Sequence, residues 1–442
     1  MSPVKDHEWF SDGLAEEIIN ALTHIPGLKV TARTSAFAFR GKEQDISAIA
    51  EALRVRIILE GSVRQAGNRV RVTAQLINAE DGYHLWSERY DRELTDIFAI
   101  QDDIAGAIAA ALRIRLSEKP GAHRRHTPNL PAYEAYLKGR HYLYRMKSES
   151  WEKCRQCFEQ AIEHDPQFAA AYAGLGEYFF VRGNLGAMPQ HEAVRQAHAI
   201  LERALVIDAM LPEAHALLGM VASVYDHDWD EVAREFRLAM AHEPVTSFVR
   251  DGYASFCLLQ MGRVAEAGPA IERALQEDPL NLLFLLHKAI YLFAAARDEE
   301  AAAQCLQIID IDQTFFLAYS WLCVTYALQG KWIEARDYAE RAFSQVPSPL
   351  FAGTFAAVAR RNGNERRAEQ ALEQFKDRDA PGTAVGLAIF YLLCLEIDTA
   401  LDWFTKAIER RDPMAMLPVV FRRFCASSPR WPTVAKMMNL PG

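Results

Sequence analysis

The chain has 442 residues, 50% hydrophobic and 24% charged, which suits one domain followed by a long repeat array. Its 49 basic and 58 acidic residues give a net charge of −9, so it lacks the basic field that drives general nucleic-acid binding. Seven scattered cysteines argue against a disulfide framework. The sequence shows no apolar run of membrane-spanning length and no signal-like N-terminus, so we expect a cytoplasmic protein.

Residues 1–119 mix helical and strand periods and predict a small α/β domain with a mixed sheet. The predicted elements, in chain order, are a helix from Leu14 to about Ile25, a strand over Leu28–Thr34, a helix from Asp45 to Arg54 and a strand over Val55–Gln65.

A hairpin joins this last strand to a strand over Arg69–Ile77, because Gly67 and Asn68 tolerate the positive φ of a tight turn. The second strand alternates, which predicts one buried face and one wet face. The buried face holds Val70, Val72, Ala74 and Leu76, and the wet face holds Arg69, Arg71, Thr73 and Gln75. A turn at Asp81-Gly82 leads into Tyr83–Tyr90, and a helix from about Ile97 to Leu116 closes the domain.

Four sequence blocks in this region resemble the TolB-like N-terminal domain of bacterial signalling proteins, over nearly all of residues 9–118. The blocks are Trp9-Phe10-Ser11-Asp12-Gly13-Leu14, Val30-Thr31-Ala32-Arg33-Thr34-Ser35-Ala36-Phe37, Leu59-Glu60-Gly61-Ser62-Val63-Arg64 and His84-Leu85-Trp86-Ser87-Glu88-Arg89-Tyr90-Asp91. In that family the domain precedes tetratricopeptide repeats. It often follows a membrane helix and an adenylate cyclase or winged-helix output domain.

Family members usually begin with an apolar strand, and no such strand lies upstream of Trp9. A sheet without its first strand exposes an open edge. We therefore expect the chain to be a truncated or separately started descendant of a longer protein. A periplasmic location is the alternative if it derives from a membrane-anchored relative.

A repeat of about 34 residues fills the rest of the chain. Its clearest copies follow the pattern Ala-[Leu/Ile/Met/Phe]-x-x-x-Pro, with an acidic residue before the proline in three of the four, and the first residue of each copy is its anchor. Anchors of the clearest copies are Ala161, Ala239, Ala274 and Ala342, and weaker copies have their anchors at Ala204, Ile308, Phe375 and Ala407. The first interval, 43 residues, predicts an insertion that forms a longer loop near Val181–Gln190.

The repeats resemble tetratricopeptide repeats, because large and small residues recur at the interlocking positions of the first helix. Examples are Tyr172, Leu175, Gly176 and Phe179 in one copy and Tyr319, Leu322, Cys323 and Tyr326 in another. The sequence thus predicts an all-α solenoid of eight repeats over 132–413, after a hinge linker at 120–131 and before a helical cap or tail at 414–442.

In this architecture, four positions of each first helix line a concave groove. Here they include Phe248, Asp251, Ser255 and Leu258, then Leu283, Leu286, Ile290 and Phe293, then Leu317, Ser320, Val324 and Ala327. The groove lacks the Lys, Arg and Asn donors that clamp a C-terminal carboxylate, so that mode is rejected. We expect an apolar or amphipathic protein segment to bind there. The alternative is that the chain's own tail, hydrophobic from Met416 to Phe424, fills the groove.

Other candidate sites have simpler explanations than chemistry. Cys154 and Cys157 form a CxxC on a repeat helix, where small buried residues are expected. Glu16-Glu17 suit the positive end of a helix, and His123–His126 suit a solvated hinge. Gly174-Leu175-Gly176 follows no strand and is not a phosphate loop. We predict no catalytic, cofactor or metal site.

The sequence therefore predicts a non-enzymatic sensory or scaffold protein of bacterial signalling that binds a protein partner, with no nucleic-acid partner and no membrane span. One alternative is the regulatory portion of an adenylate cyclase or winged-helix transcription regulator whose output domain is absent from this chain. Another is a small-molecule sensor that uses the α/β domain.

Overall fold

A computed structural model describes residues 14–15, 18–19, 22–23, 25, 28–39, 45–66, 69–93, 100, 103–104, 106–108, 110, 127–145, 150–241, 244–377 and 379–440. The chain forms two compact units. The first unit comprises Met1–Gly174 together with Leu275–Asn281, and the second comprises Leu175–Ala274 and Leu282–Gly442. The predicted linker at 120–131 lies mostly outside the described residues, so the predicted domain boundary stays a prediction.

Among the described residues, three strands form the sheet of the first unit. They are β1, Ile57–Ala66, β2, Arg69–Asn78, and β3, His84–Glu93, in the order β1-β2-β3. Both pairings are antiparallel, with Gly61 opposite Ala74 and Val72 opposite Tyr90. The predicted mixed sheet is thus wrong for the described residues, because consecutive strands joined by short turns pair antiparallel.

The buried face of β2 is the one that the alternation predicts. Val70, Val72, Ala74 and Leu76 are at most 4% exposed. A register shift between Leu76 and Ile77 places Ile77 in the core as well, because a bulge turns the next side chain to the same face. Helical residues Leu14, Ile18 and Leu22, and Ile100, Ile104 and Ile108, pack against this face. Their spacing of four places them on one side of a helix.

The strand predicted over Leu28–Thr34 is wrong. Leu28–Ala32 is irregular, and a short helix, Arg33–Phe37, follows it. The N–H groups of Ala32 and Ser35 donate to the carbonyl of Glu277 and the carboxylate of Asp278, both within the first unit. These distant acceptors take the hydrogen bonds that a neighbouring strand would supply. The predicted helix at Asp45–Arg54 is confirmed as Ile46–Leu53.

Eight consecutive helix pairs follow among the described residues, numbered here pair 1 to pair 8. They are Leu130–Arg145 with Trp151–His164, Ala169–Asn184 with Gln190–Ile207, Pro212–Val221 with Trp229–Ala239, Ser247–Gly252 with Val264–Glu277, Leu282–Ala294 with Asp298–Ile311, Phe316–Leu328 with Trp332–Gln345, Pro349–Arg361 with Glu365–Leu372, and Thr383–Leu393 with Ile397–Arg410. The first helices of pairs 3 and 4 continue into π-helical segments, Ala222–Asp226 and Tyr253–Leu258. This is the helix-turn-helix unit expected of tetratricopeptide repeats.

All eight predicted anchors are buried near the ends of the second helices or their 3₁₀ extension. Ala161, Ala204, Ala274, Ile308 and Ala407 are completely buried, and Ala239, Ala342 and Phe375 are at most 4% exposed. A small side chain lets the two helices of a pair approach closely, which explains the repeated alanine.

The insertion in pair 2 differs from the prediction. Its extra residues mainly lengthen the two helices, to 16 and 18 residues, where the helices of pair 5 have 13 and 14. The loop between them is only the stretch 185–189. Asn184 and Gly183 therefore lie inside or at the end of a helix, because the hydrophobic period of the helix continues past the expected break.

Candidate protein-binding surface

The predicted groove residues lie on the first helices of pairs 4, 5 and 6, and their exposure divides them into two sets. Phe248, Leu283, Ile290 and Ser320 are half-buried. The others are buried, namely Asp251, Ser255, Leu258, Leu286, Phe293, Leu317, Val324 and Ala327. Only the first set can meet another molecule without a rearrangement of the second unit.

The middle of this surface is less apolar than the sequence suggests. The Asp251 carboxylate lies 2.6 Å from Nδ1 of His287, which is on the first helix of the next pair. The Asp251 side chain is 4% exposed and that of His287 17%. A buried carboxylate is stable only with such a partner, so His287 fixes Asp251. Sequence analysis missed His287, although it stands one residue after the groove position Leu286.

The C-terminal segment, defined here as Met416–Met438, forms a 3₁₀ turn, Leu417–Val419, and two short helices, Arg422–Cys425 and Trp431–Met437. Its buried residues are Met416, Leu417, Pro418, Val419, Val420, Phe421, Cys425, Ser428, Trp431, Val434 and Met438. This segment is therefore part of the packed interior of the second unit.

Phe421 connects this segment to three pairs of the second unit. Its ring centroid lies 5.7 Å from that of Phe293 in pair 5, 6.1 Å from Trp321 in pair 6 and 6.4 Å from Phe404 in pair 8. The ring of Phe424 also lies 6.1 Å from Phe293. The predicted groove residue Phe293 is thus covered by the chain's own tail. The contacts to pairs 5 and 6 go beyond capping of the last repeat.

Acidic side chains surround this aromatic cluster and meet basic or hydroxyl groups of the segment. Arg423 forms an ion pair with Asp298, and its guanidinium carbon lies 4.5 Å above the ring of Phe293. Arg430 lies 2.5 Å from Asp402, and the Ser428 hydroxyl donates to Asp398 over 2.6 Å. The partly buried Arg423 combines ionic and cation–π attraction, so it contributes more than a fully exposed pair would.

The end of the segment is held at pair 3. The indole N–H of Trp229 donates to the carbonyl of Met438 over 2.9 Å, and the Asn439 amide donates to the carbonyl of His227 over 3.1 Å. Burial lowers the pKa of His227. Its neutral ring is placed to donate from Nδ1 to the Ser223 carbonyl over 2.8 Å, in the π-helical segment of pair 3. The π-helical segment of pair 3 is therefore connected to the C-terminal end of the chain through the hydrogen bonds of His227.

The other candidate sites have structural roles where the structure describes them. Cys154 and Cys157 lie on Trp151–His164 and are buried, and burial raises the pKa of the Cys157 thiol. A thiol in that environment is poorly suited to nucleophilic or redox chemistry. Gly174 packs against Phe158 and Gly176 against Leu201. Glu16-Glu17 and His123–His126 lie outside the described residues.

The described residues contain no group of three or more His, Cys, Asp or Glu side chains that could hold a metal ion. None of their helices combines the length and apolar character needed to cross a bilayer.

No protein-family model matches the chain. A protein of Rhizobium meliloti (strain 1021) named "Putative adenylate cyclase 3" is 37% identical over 228 residues, which are 50% of this chain and 38% of that protein. The chain thus spans well under half the length of that curated relative.

Three solved structures illustrate the structural similarity of this chain to known proteins. Human IFIT1, a dimer with PPP-AAAA, has a TM-score of 0.47 at 16% identity and covers 76% of this chain and 80% of its own. Yeast Tom70 has a TM-score of 0.43 at 14% identity, with 78% and 77% covered. PilW, a type IV pilus biogenesis factor, has a TM-score of 0.37 at 21% identity, with 45% and 92% covered. The helix pairs of this chain define its fold independently of these likenesses.

Proposed function

We propose that the chain is a non-enzymatic scaffold that binds a protein partner through the groove formed by its first helices. The observation that supports this most directly is the half-exposure of Phe248, Leu283 and Ile290 on neighbouring pairs 4 and 5. Apolar side chains that are partly open to solvent gain by burial on association, and large ones dominate binding energy.

The finer part of the proposal concerns the first unit. Its four sequence blocks support a TolB-like domain of bacterial signalling, with no cofactor. One block contains Gly61, where a Cβ atom would lie 2.5 Å from the carbonyl oxygen of Thr73 on β2. Only glycine allows the strands to approach so closely at this point, so the glycine of this block has a structural role in the sheet.

A pair of substitutions at the half-exposed positions tests the binding proposal. We expect Phe248→Ser with Leu283→Ser to abolish cross-linking to a protein partner in cells, without lowering the unfolding temperature by more than a few degrees. Leu286 is unsuitable, because it is 3% exposed and a charge there would unfold the pair.

Val206→Asp is the matched control, since Val206 is 73% exposed and lies on the second helix of pair 2. The doubly substituted chain of the preceding test is called the groove variant. The proposal would be overturned if the groove variant is folded and cross-links to the same proteins as the native chain. Loss of the same proteins from the control would show that the effect is not specific to the groove.

A second candidate function is supported by the likeness to the relative named as an adenylate cyclase. The chain would then be a regulatory portion that acts on an output domain in another chain. Purified chain incubated with ATP and Mg²⁺ or Mn²⁺ should yield no cyclic AMP in this case, since the output domain supplies the chemistry. Cyclic AMP formation by the purified chain would overturn the non-enzymatic assignment.

A further inference from the structure

The surface under the C-terminal segment has a definite chemistry. Its floor is aromatic, with Phe293, Trp321 and Phe404 around Phe421, and its rim is acidic, with Asp298 and Asp402 paired to arginines. Phe293 is completely buried and Trp321 is 8% exposed. A deep aromatic pocket beside carboxylates fits an aromatic side chain next to a guanidinium.

The segment presents that pattern in four consecutive residues, Phe421-Arg422-Arg423-Phe424. Both aromatic rings contact Phe293, and Arg423 between them pairs with Asp298. Residues three apart on a helical turn point to the same side, so one turn delivers both rings. Recognition therefore depends on the spacing of two aromatic residues and on one basic residue between them.

The two ion pairs of the C-terminal segment differ in how far water reaches them. The side chains of Arg430 and Asp402 are 50% and 45% exposed, and those of Arg423 and Asp298 are 23% and 24% exposed. A competing segment can replace the half-exposed pair of Arg430 with Asp402 at small cost because water reaches it. At Asp298 it must supply a guanidinium of its own, because the pair with Arg423 is less exposed. The tail competes at the high effective concentration of an attached chain, so a partner must match both aromatic contacts to displace it.

We propose that this aromatic, acidic surface is the recognition site for a partner protein that carries an exposed Phe-x-Arg-Phe turn, and that the C-terminal segment is its resident occupant. The proposal rests on the proposed scaffold function and names the chemistry of the partner. Binding exchanges one occupant for the other, so the free chain keeps its aromatic floor covered until the partner arrives.

The test uses a fluorescein-labelled peptide with residues 416–431 of this chain and the full chain as receptor. Arg423→Glu in the full chain weakens the resident occupant while Phe421 keeps the fold. We expect this variant to bind the peptide at least tenfold more tightly than the native chain in fluorescence anisotropy. A peptide with Phe421→Ala should not bind.

A charge swap supplies the control. In the double variant Arg423→Glu with Asp298→Arg, the tail regains its ion pair and the native peptide faces an arginine. Peptide binding should therefore return to the native level or below. Hydrogen exchange over 416–438 should rise when the peptide binds, because the tail leaves its site.

Equal affinity of native and Arg423→Glu chains, with matching unfolding temperatures, would overturn the proposal. So would peptide binding without faster exchange over 416–438. A stable dimer of the Arg423→Glu variant in light scattering would identify a second copy as the occupant and would also overturn it. A cross-linked partner lost from the groove variant and retained by Asp298→Arg would leave the scaffold function standing and refute only this recognition site.

Discussion

Phe421 stacks on Trp321, with the two ring planes inclined by 17° and the centroids 6.1 Å apart. One residue belongs to the C-terminal segment and the other to pair 6, which stand 100 positions apart in the sequence. Phe421 is 1% exposed. The stability of the second unit therefore depends on a residue that lies beyond the last helix pair.

We predict that Phe421→Ala lowers the free energy of unfolding of the second unit by about 3 to 5 kcal/mol, because it leaves a cavity among Phe293, Trp321 and Phe404. Urea unfolding followed by tryptophan fluorescence measures the change. Phe424→Ala is the matched control, since Phe424 is only half-buried and should cost clearly less. Similar losses of unfolding free energy for both variants would show that the aromatic contacts of Phe421 contribute no more to stability than those of Phe424.

The local features of the fold could be predicted from the sequence, and the long-range ones could not. The buried anchors follow from a repeat of about 34 residues, and the buried face of β2 follows from alternation within one strand, so both can be predicted from periods in the sequence. The helix at Arg33–Phe37 depends on acceptors at Glu277 and Asp278, more than 240 positions away. No local propensity carries that information, and the alternating, β-branched sequence at Leu28–Thr34 by itself favours a strand.

The same reason explains the outcome at the groove. The repeat period predicts which side of each first helix lines the groove, and it places Phe293 on that side. In the structure Phe293 is covered by rings of the C-terminal segment, and its binding of a partner stays a prediction. That the segment is the chain's own tail depends on contacts such as Trp229 with Met438, which are 209 positions apart. The sequence alone therefore leaves the tail and a partner as alternative occupants of the groove.

The hydroxyl of Ser35 forms two hydrogen bonds in the first unit. It donates to the Asp278 carboxylate and accepts from the N–H of Leu280 over 2.6 Å. Ser35 is completely buried. We predict that Ser35→Ala destabilises the first unit by about 2 to 3 kcal/mol, because it leaves the half-buried N–H of Leu280 and the buried Asp278 carboxylate with fewer partners.

Hydrogen exchange of β2, whose core residues belong to the first unit, measures the effect of Ser35→Ala. Ser62→Ala on the exposed face of β1 is the control and should leave the exchange unchanged. Faster exchange in the control, or none in Ser35→Ala, would contradict the role given to Ser35.

Gly353 in pair 7 touches the backbone of Gly386 in pair 8. A Cβ atom at Gly353 would lie 1.8 Å from the Gly386 carbonyl oxygen, so the two helices must separate to admit it. We predict that Gly353→Ala costs about 3 kcal/mol or more of stability in thermal unfolding. Gly330→Ala should cost only about 1 to 2 kcal/mol, because its Cβ meets open space and only its φ of 78° is unfavourable. The reverse order of the two losses would show that the close approach of the helices relaxes easily.

Asp412 lies after the last helix of pair 8 and accepts a hydrogen bond from the N–H of Ala384 over 3.2 Å. Burial raises the pKa of its carboxyl from 3.8 to about 6. The folded state therefore holds the proton more tightly than the unfolded state. Its contribution to stability is fully present below about pH 4 and is lost as the pH rises through 6.

We predict that Asp412→Asn stabilises the second unit at pH 7 by about 1 to 2 kcal/mol, less than the full shift implies because part of the carboxyl faces solvent. The amide oxygen still accepts from Ala384, so the hydrogen bond is kept. Urea unfolding of both chains from pH 4 to pH 8 measures the difference, which should be close to zero at pH 4 and grow towards pH 7. Stability curves that run parallel over this range would show that Asp412 titrates alike in the folded and unfolded states. A variant less stable than the native chain at pH 7 would show that the ionised carboxylate is needed at this position.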